Sequence, residues 1–365
     1  MKIKVQKEAL LKSLQKVSNI IGSRTTLPIM ANVLMEAKDG RLTLTTTDLE
    51  LRMTTSLEVE VEEPGVTTLP VKKLVGLIAK LRQGVVSIES NENHHSEIKC
   101  GTVSIMLLGL DPDGFPELPE FEVKRNVKVK QVELAAIIDR ISYSASTDDS
   151  RKVLQGLLFS IRDSKITAVA TDGKRLAIVE RELEEAPTGE DGDIIVTLKS
   201  VNEVKRLLSD EGNVNIEIGE KQIKFIVNDA VVVSKLIEGT YPNYAQVVPS
   251  SFKKSIEIPC EAFMYAIEIL SVTVSDSSSP NIKLTFDNNK LLFEVNSAIG
   301  EGSESIEIPY EDEAMSASFN PNFLLDPFKH LPMEKVTLKI NDVVSPISIQ
   351  SGDGFIYVIM PMRNK

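Results

Sequence analysis

The sequence has no tryptophan, and aromatic residues make up only 5% of it. That scarcity argues against single-stranded nucleic acid held on stacked rings, which needs a ring under successive bases. Two cysteines, Cys100 and Cys260, lack the paired spacing of a zinc site or a disulfide framework. A reducing cytoplasm is therefore the expected setting. No apolar run reaches the ~18 residues of a membrane span. The opening Met1-Lys2-Ile3-Lys4-Val5-Gln6-Lys7 lacks the apolar segment of a secretory signal, so no membrane partner is expected.

Catalytic patterns are also missing. No serine nucleophile elbow and no Walker glycine pattern occurs. His94 and His95 are neighbours in a polar turn, and adjacent residues rarely present one metal face. Acid pairs such as Asp148-Asp149 and Glu184-Glu185 recur throughout the chain and read as surface charge. No catalytic residue, metal or cofactor is expected. A hydrolase or transferase with a dispersed site and a repeat scaffold that ignores DNA both remain as alternatives.

The net charge of −12 at first opposes a nucleic-acid partner, but placement matters more than the total. Acid concentrates in Glu58 to Glu63, Glu182 to Asp193 and Glu301 to Asp312. Lys72, Lys73, Lys80 and Arg82 instead lie in a stretch without acid. Lys7, Lys12 and Lys16, and later Lys199, Lys205 and Arg206, mark other basic helix faces. Such helices crossing a duplex neutralise phosphates without reading bases.

A chain of 365 residues exceeds one ordinary core and suggests two or three domains. The pattern repeats. Leu10, Leu14, Val17 and Ile21 form a helical stripe, matched by Leu134, Ile138 and Ile141 and then by Phe263, Ile267 and Leu270. A second helix follows in each unit, with stripes Leu74, Leu77, Leu81; Val201, Val204, Leu208; and Leu324, Phe328, Leu331. Pro327 is expected to shorten or kink the last of these. Period-two runs at 86–89, 214–218 and 336–340 then read as half-buried strands. The expectation is three α+β units of roughly 120 residues each, 1–125, 126–250 and 251–365, whose sheets continue one another.

Ala170-Thr171-Asp172-Gly173-Lys174-Arg175-Leu176-Ala177 is a tight turn with two cations at its exit. Its counterpart Thr46-Thr47-Asp48-Leu49-Glu50-Leu51 has no such pair. The turn thus belongs to the repeat, and its cations to the second copy, which suggests a docking site for another protein.

Four stretches carry a resemblance: Arg24-Thr25-Thr26-Leu27-Pro28-Ile29, the 170–177 turn, Tyr241-Pro242-Asn243-Tyr244, and Tyr357-Val358-Ile359-Met360-Pro361-Met362-Arg363. With the threefold repeat, the whole chain resembles the bacterial replicative sliding clamps, the beta subunits of DNA polymerase III. The resemblance implies the DNA clamp fold, in which each chain is half of a ring: three domains, each with two helices packed on antiparallel sheets. It implies a non-catalytic processivity factor, a head-to-tail homodimer around double-stranded DNA without sequence preference, in the cytoplasm at the nucleoid. Its partners would be the replicative polymerase subunit, the clamp loader and other proteins with a clamp-binding motif.

Carried over by position, DNA contacts would be Arg24, Lys73, Arg151, Lys152 and Lys199. Lys152 and Val153 stand where the family pattern has aromatic residues. The partner-peptide pocket would take Leu154, Thr171, Gly173, Lys174, Arg175 and Leu176 from one region, with Pro242 and Val247. It would be completed by Val344, Val358, Met360, Pro361, Met362 and Arg363. Methionine and valine suit an adaptable apolar floor, and Thr171 and Arg175 would hold the polar ends of an extended peptide. Lys174 replaces a histidine of the family pattern and Gln246 an arginine. The dimer seam would use Ile105 and Leu107 from the first domain and Val272 from the third. Lys73 and Lys99 would face Glu301, Glu304 and Glu307.

Overall fold

The first helix, α1 (Lys7–Ser18), forms because Leu10, Leu14 and Val17 recur on one face. Glu8 in its first turn and Lys16 in its last complement the helix dipole. The stripe expected to reach Ile21 stops at Ser18, although Ile20 and Ile21 stay buried. Helix α2 (Val71–Lys80) buries Val71, Leu74 and Ile78; of the expected stripe Leu74 is buried, Leu77 is half-buried, and Leu81, also buried, caps the helix. Pro70 caps its N-terminus, so Val71 lies in the first turn.

Helices α3 (Gln131–Ile141) and α5 (Cys260–Ser271) carry the predicted stripes. Leu134, Ile138, Ile141, Phe263, Ile267 and Leu270 are all buried. Helix α4 (Leu198–Leu207) buries Val201 and Val204 and ends one residue before Leu208. Helix α6 (Pro321–Lys329) tolerates Pro327 in its last turn. A proline there cannot donate to the carbonyl four residues back. That carbonyl, on Phe323, instead accepts a 2.9 Å hydrogen bond from the Tyr357 hydroxyl.

The structure, a computed structural model, describes residues 1–22, 27–117, 121–274, 279–331 and 333–362. Arg24 and Arg363, both expected to be functional, lie outside the described residues. The chain divides into two compact units. The first comprises residues 1–134, 184–190 and 199–236, the second the remainder.

Within the first unit one sheet runs in the order Glu60–Glu63, Lys2–Gln6, Val85–Ser90, His95–Cys100, Val103–Leu108. A second sheet has eight strands, four from 125–235 and four from 32–70, joined where Ala230–Lys235 pairs with Leu51–Glu58. The register sets Ala230 opposite Thr55 and Ser234 opposite Leu51. Helices α1 and α2 pack together in this unit.

The second unit repeats the plan. Its eight-stranded sheet takes four strands from 156–197 and four from 254–359, joined where Arg175–Glu182 pairs with Phe355–Ile359. A four-stranded sheet follows the order Gly300–Glu307, Lys290–Ser297, Ile282–Asp287, Met315–Phe319. Helices α5 and α6 pack together here. In both units strands of the middle repeat extend a sheet begun by a flanking one, so adjoining repeats share a backbone ladder. Each shorter sheet leaves one open edge that matters below: Val103–Leu108 in the first unit and Gly300–Glu307 in the second.

Candidate partner site, nucleic-acid interface and seam

The 171–175 turn is built by two side chains. Thr171 Oγ1 accepts from Gly173 N–H at 3.0 Å and donates to the Arg175 carbonyl at 2.6 Å. Asp172 Oδ1 accepts from the N–H groups of Lys174 and Arg175 at 2.8 and 3.0 Å. Gly173 takes the left-handed conformation this turn needs, with φ +84°. The first repeat makes the same four bonds: Leu49 N–H to Thr47, Thr47 to the Leu51 carbonyl, and the Glu50 and Leu51 N–H groups to Asp48. In the third, Ser297 keeps the hydroxyl bonds, to Ile299 N–H and Gly300 O, while Ala298 replaces the aspartate.

The other Asp172 oxygen, Oδ2, pairs with Arg175 Nε at 3.1 Å. Arg175 also pairs through Nη1 with Asp326 on α6 and donates from Nη2 to the Tyr143 carbonyl at 2.6 Å. Its guanidinium carbon lies 4.4 Å from the Phe323 ring centroid. Burial works against the Arg175 charge, and Tyr357 and Asp326 more than offset it, leaving its pKa raised. Three N–H donors of Arg175 are thus engaged within the chain. Thr171 is similar, with its hydroxyl spent on the turn.

Beneath the turn lies an apolar cluster that includes Leu154, Leu158, Leu176, Ile195, Tyr241 and Val358, with Val153 and Tyr244 packed against it. Tyr241 accepts from Thr171 N–H at 3.1 Å, and burial pushes its hydroxyl pKa upward, so it stays neutral. Three expected pocket residues, Leu154, Leu176 and Val358, thus meet in one cluster. The last strand runs on beside the turn: Met360 N–H donates to the Lys174 carbonyl at 3.0 Å, and Met362 N–H to Ser318 O at 2.7 Å. Met360 is 42% exposed and Pro361 and Met362 are half-buried. Lys174, Pro242 and Val247 are exposed, whereas Val344 is 78% exposed in a separate turn held by Asp342.

Among the proposed DNA contacts, Lys73 is exposed on α2 beside Lys72, which donates to the Gly22 carbonyl at 3.1 Å. Lys199, in the first turn of α4, is engaged instead. Its ammonium pairs with Asp48 and donates to the Ile20 carbonyl at 3.2 Å. Arg151 and Lys152 belong to the second unit and are exposed. Arg151 Nη1 donates to the Asp172 carbonyl at 3.3 Å, placing it against the 171–175 turn.

The Val103–Leu108 edge carries Ile105 and Leu107, and Lys99 pairs with Glu97 on the next strand at 2.8 Å. Ile105 sits directly opposite Ile98, which is 1% exposed, yet Ile105 itself is 37% exposed. Its side of the sheet is the core side, and among the described residues no further strand pairs beyond it. On the other open edge Glu301 and Glu307 are exposed and Glu304 is half-buried. Val272, just past α5, is 68% exposed.

Sequence reasoning missed Val103, Met106 and Leu108, and also Tyr265 and Ile269 of α5, all exposed apolar residues. The signals were present. Residues 103–108 are apolar on both faces apart from Ser104. Tyr265, Ile269 and Val272 make a second stripe on α5 opposite the core stripe, and a helix apolar on two sides has two partners. Among the described residues no group of His, Cys, Asp and Glu is placed to hold a metal ion, and no helix is long and apolar enough to cross a membrane.

Comparison with known proteins agrees with this architecture. Family models for the N-terminal, central and C-terminal domains of the DNA polymerase III beta subunit match residues 1–119, 128–243 and 245–363. The beta sliding clamps of Salmonella typhimurium and Escherichia coli are 32% and 31% identical to the chain over 368 residues, covering all of both partners. The solved DNA polymerase III beta subunit of Pseudomonas aeruginosa matches with a TM-score of 0.95 at 29% identity, again over both full chains. A Pseudomonas aeruginosa clamp structure with griselimycin bound matches equally well. The Bacillus subtilis sliding clamp gives a TM-score of 0.95 at 26% identity, with complete coverage of both chains. The chain belongs to the DNA polymerase III beta subunit family, the beta sliding clamps.

Proposed function

We propose that two copies of this chain close head to tail into a ring around duplex DNA and keep a polymerase on its template. The observation that carries the reading, beside full-length family membership, is the pair of unlike open edges. One is apolar through Ile105 and Leu107; the other is acidic through Glu301 and Glu304 and lies in the same unit as exposed Val272. Unlike edges of one chain make a heterologous contact, which closes into a ring when its rotation is right. Lys73 and Lys99 supply the charge opposite the acidic edge. The three domains are 1–125, 126–250 and 251–365, boundaries close to the spans of the three family models.

A closed ring holds DNA by topology, so direct contacts need only be weak. Lys73, Arg151, Lys152 and Lys199, with Arg24, meet phosphates without reading sequence, while the acidic remainder repels DNA. The ring makes and breaks no bond. It works as a mobile tether in the cytoplasm, and the polymerase, clamp loader and other partners dock on the surface over Leu154, Leu176 and Val358. Met360 and Met362 shape that floor, and Lys174, Pro242 and Val247 form its rim. A Pseudomonas aeruginosa relative has griselimycin bound, and on this reading the compound serves as the probe for the same surface. The test is retention on DNA after loading, at raised salt. The ring stays on circles and leaves linear DNA through its ends; equal loss from both would overturn the proposal.

A further inference from the structure

We infer that Asp326 on α6 is a positioning residue for the partner pocket, acting through Arg175; this rests on the pocket reading above. Asp172 uses one oxygen to hold the backbone N–H groups of Lys174 and Arg175, and the other to hold Arg175 Nε. Arg175 then reaches Asp326, the Tyr143 carbonyl and the face of Phe323. The turn carrying Lys174 and leading into Leu176 is therefore not free-standing. It is tied by one guanidinium to a helix of the following repeat.

The surroundings partly shield that tie from water. The Arg175 side chain is 12% exposed and that of Asp326 25%. Phe323, one helical turn before Asp326, is fixed because its carbonyl receives the Tyr357 hydroxyl. Tyr357 in turn belongs to the strand that continues into Met360 and Met362. Both walls of the pocket, the turn and the terminal strand, are thus referenced to the same turn of α6. Without the Asp326 charge, Arg175 loses its half-buried partner on α6, and Asp172 and the Tyr143 carbonyl alone are left to fix its direction. The turn that places Lys174 and the Met360 N–H then loosens. Asp326 itself touches no ligand.

Griselimycin titration of the full-length protein tests this, with the Asp326→Asn, Asp326→Glu, Arg175→Ala and double Asp326→Asn, Arg175→Ala variants, each verified as folded by its melting curve. Hydrogen bonds between charged groups of this kind lead us to expect about tenfold weaker binding for Asp326→Asn. Asp326→Glu recovers much of it. In the Arg175→Ala background, Asp326→Asn has no further effect, because the two residues act as one path. Unchanged affinity in Asp326→Asn, or full additivity in the double variant, overturns the positioning role. If the unaltered protein fails to bind griselimycin, the pocket reading itself falls and this inference with it. A Met360→Ala variant that weakens binding while Asp326→Asn leaves it unchanged sinks the positioning role alone.

Discussion

Replacing Ile105 by aspartate tests the seam most directly. Ile105 lies on the core side of its sheet, opposite buried Ile98, and is 37% exposed only because no further strand covers it. Full burial of an isoleucine stabilises by about 1.5–3 kcal/mol, so the exposed share contributes about 0.6–1 kcal/mol when a second copy covers it. A head-to-tail ring has two such seams, so losing the transfer term alone costs about 1–2 kcal/mol, or roughly fivefold to thirtyfold in the dimer constant. That is the floor. If the carboxylate must be buried dry at pH 7, it has to take up a proton roughly three units above its ordinary pKa, a further ~4 kcal/mol per seam. Sedimentation velocity over a concentration series measures the shift. Val85→Asp is the control, since Val85 is 48% exposed but its strand is paired on both sides. A folded Ile105→Asp protein that keeps its mass down to the same concentration as the unaltered protein would refute the edge as the seam.

Other perturbations separate roles that share one region. Leu176 is 3% exposed, so Leu176→Ala should lower stability in denaturant melts by about 2–5 kcal/mol. Met360→Ala should leave the melt within ~0.5 kcal/mol and weaken griselimycin instead; normal binding would remove Met360 from the floor. Asp229 accepts from Lys16 and Thr55. Burial pushes its carboxyl pKa up, but those partners outweigh burial and leave it below the ordinary value. Its stabilisation is therefore complete above the unfolded carboxylate pKa, about 4, and disappears as pH falls through the lower folded value. Asp229→Asn should flatten that acid step in thermal melts, and identical acid limbs would contradict the bridge. Lys73→Ala should reduce the salt slope of DNA binding by about 0.9, as for one lost phosphate contact. Lys199→Ala should reduce it less, because Asp48 already neutralises Lys199, and Asp48→Asn should bring the two lysines level. Equal slopes for both alanine variants in the presence of Asp48 would show that the pair opens on DNA.

Local pattern reveals the repeats because each helix buries one stripe, whichever repeat it belongs to. The phase of a stripe is less legible. In α2 the sets Val71, Leu74, Ile78 and Leu74, Leu77, Leu81 both have helical spacing, and only Leu77 of these positions is left half-buried, which spacing alone does not pick out. The open edges are harder still. Whether residues 103–108 are covered depends on a neighbour that no residue within the strand specifies. The two-sided apolar pattern signals a partner without naming it. The internal tie of Arg175 is hidden for a similar reason: its acid, Asp326, lies 151 residues away.

The repeated turn explains why the second copy alone carries a cation pair. Asp48 in the first repeat uses its spare oxygen on Lys199, in the first turn of α4. Asp172 in the second meets a helix, α6, that offers an acid, Asp326. Two carboxylates repel, so the same kind of joint between consecutive repeats requires a cation between them, and Arg175 is that cation. It belongs to the frame. Lys174, next to it, is exposed, and its backbone carbonyl is taken by Met360. A lysine held at the rim by its main chain, with its ammonium left to solvent, is placed to meet the polar end of a docked peptide. Of the two cations that set this turn apart, one is engaged by the fold, and the other is, on the proposed reading, left for the ligand.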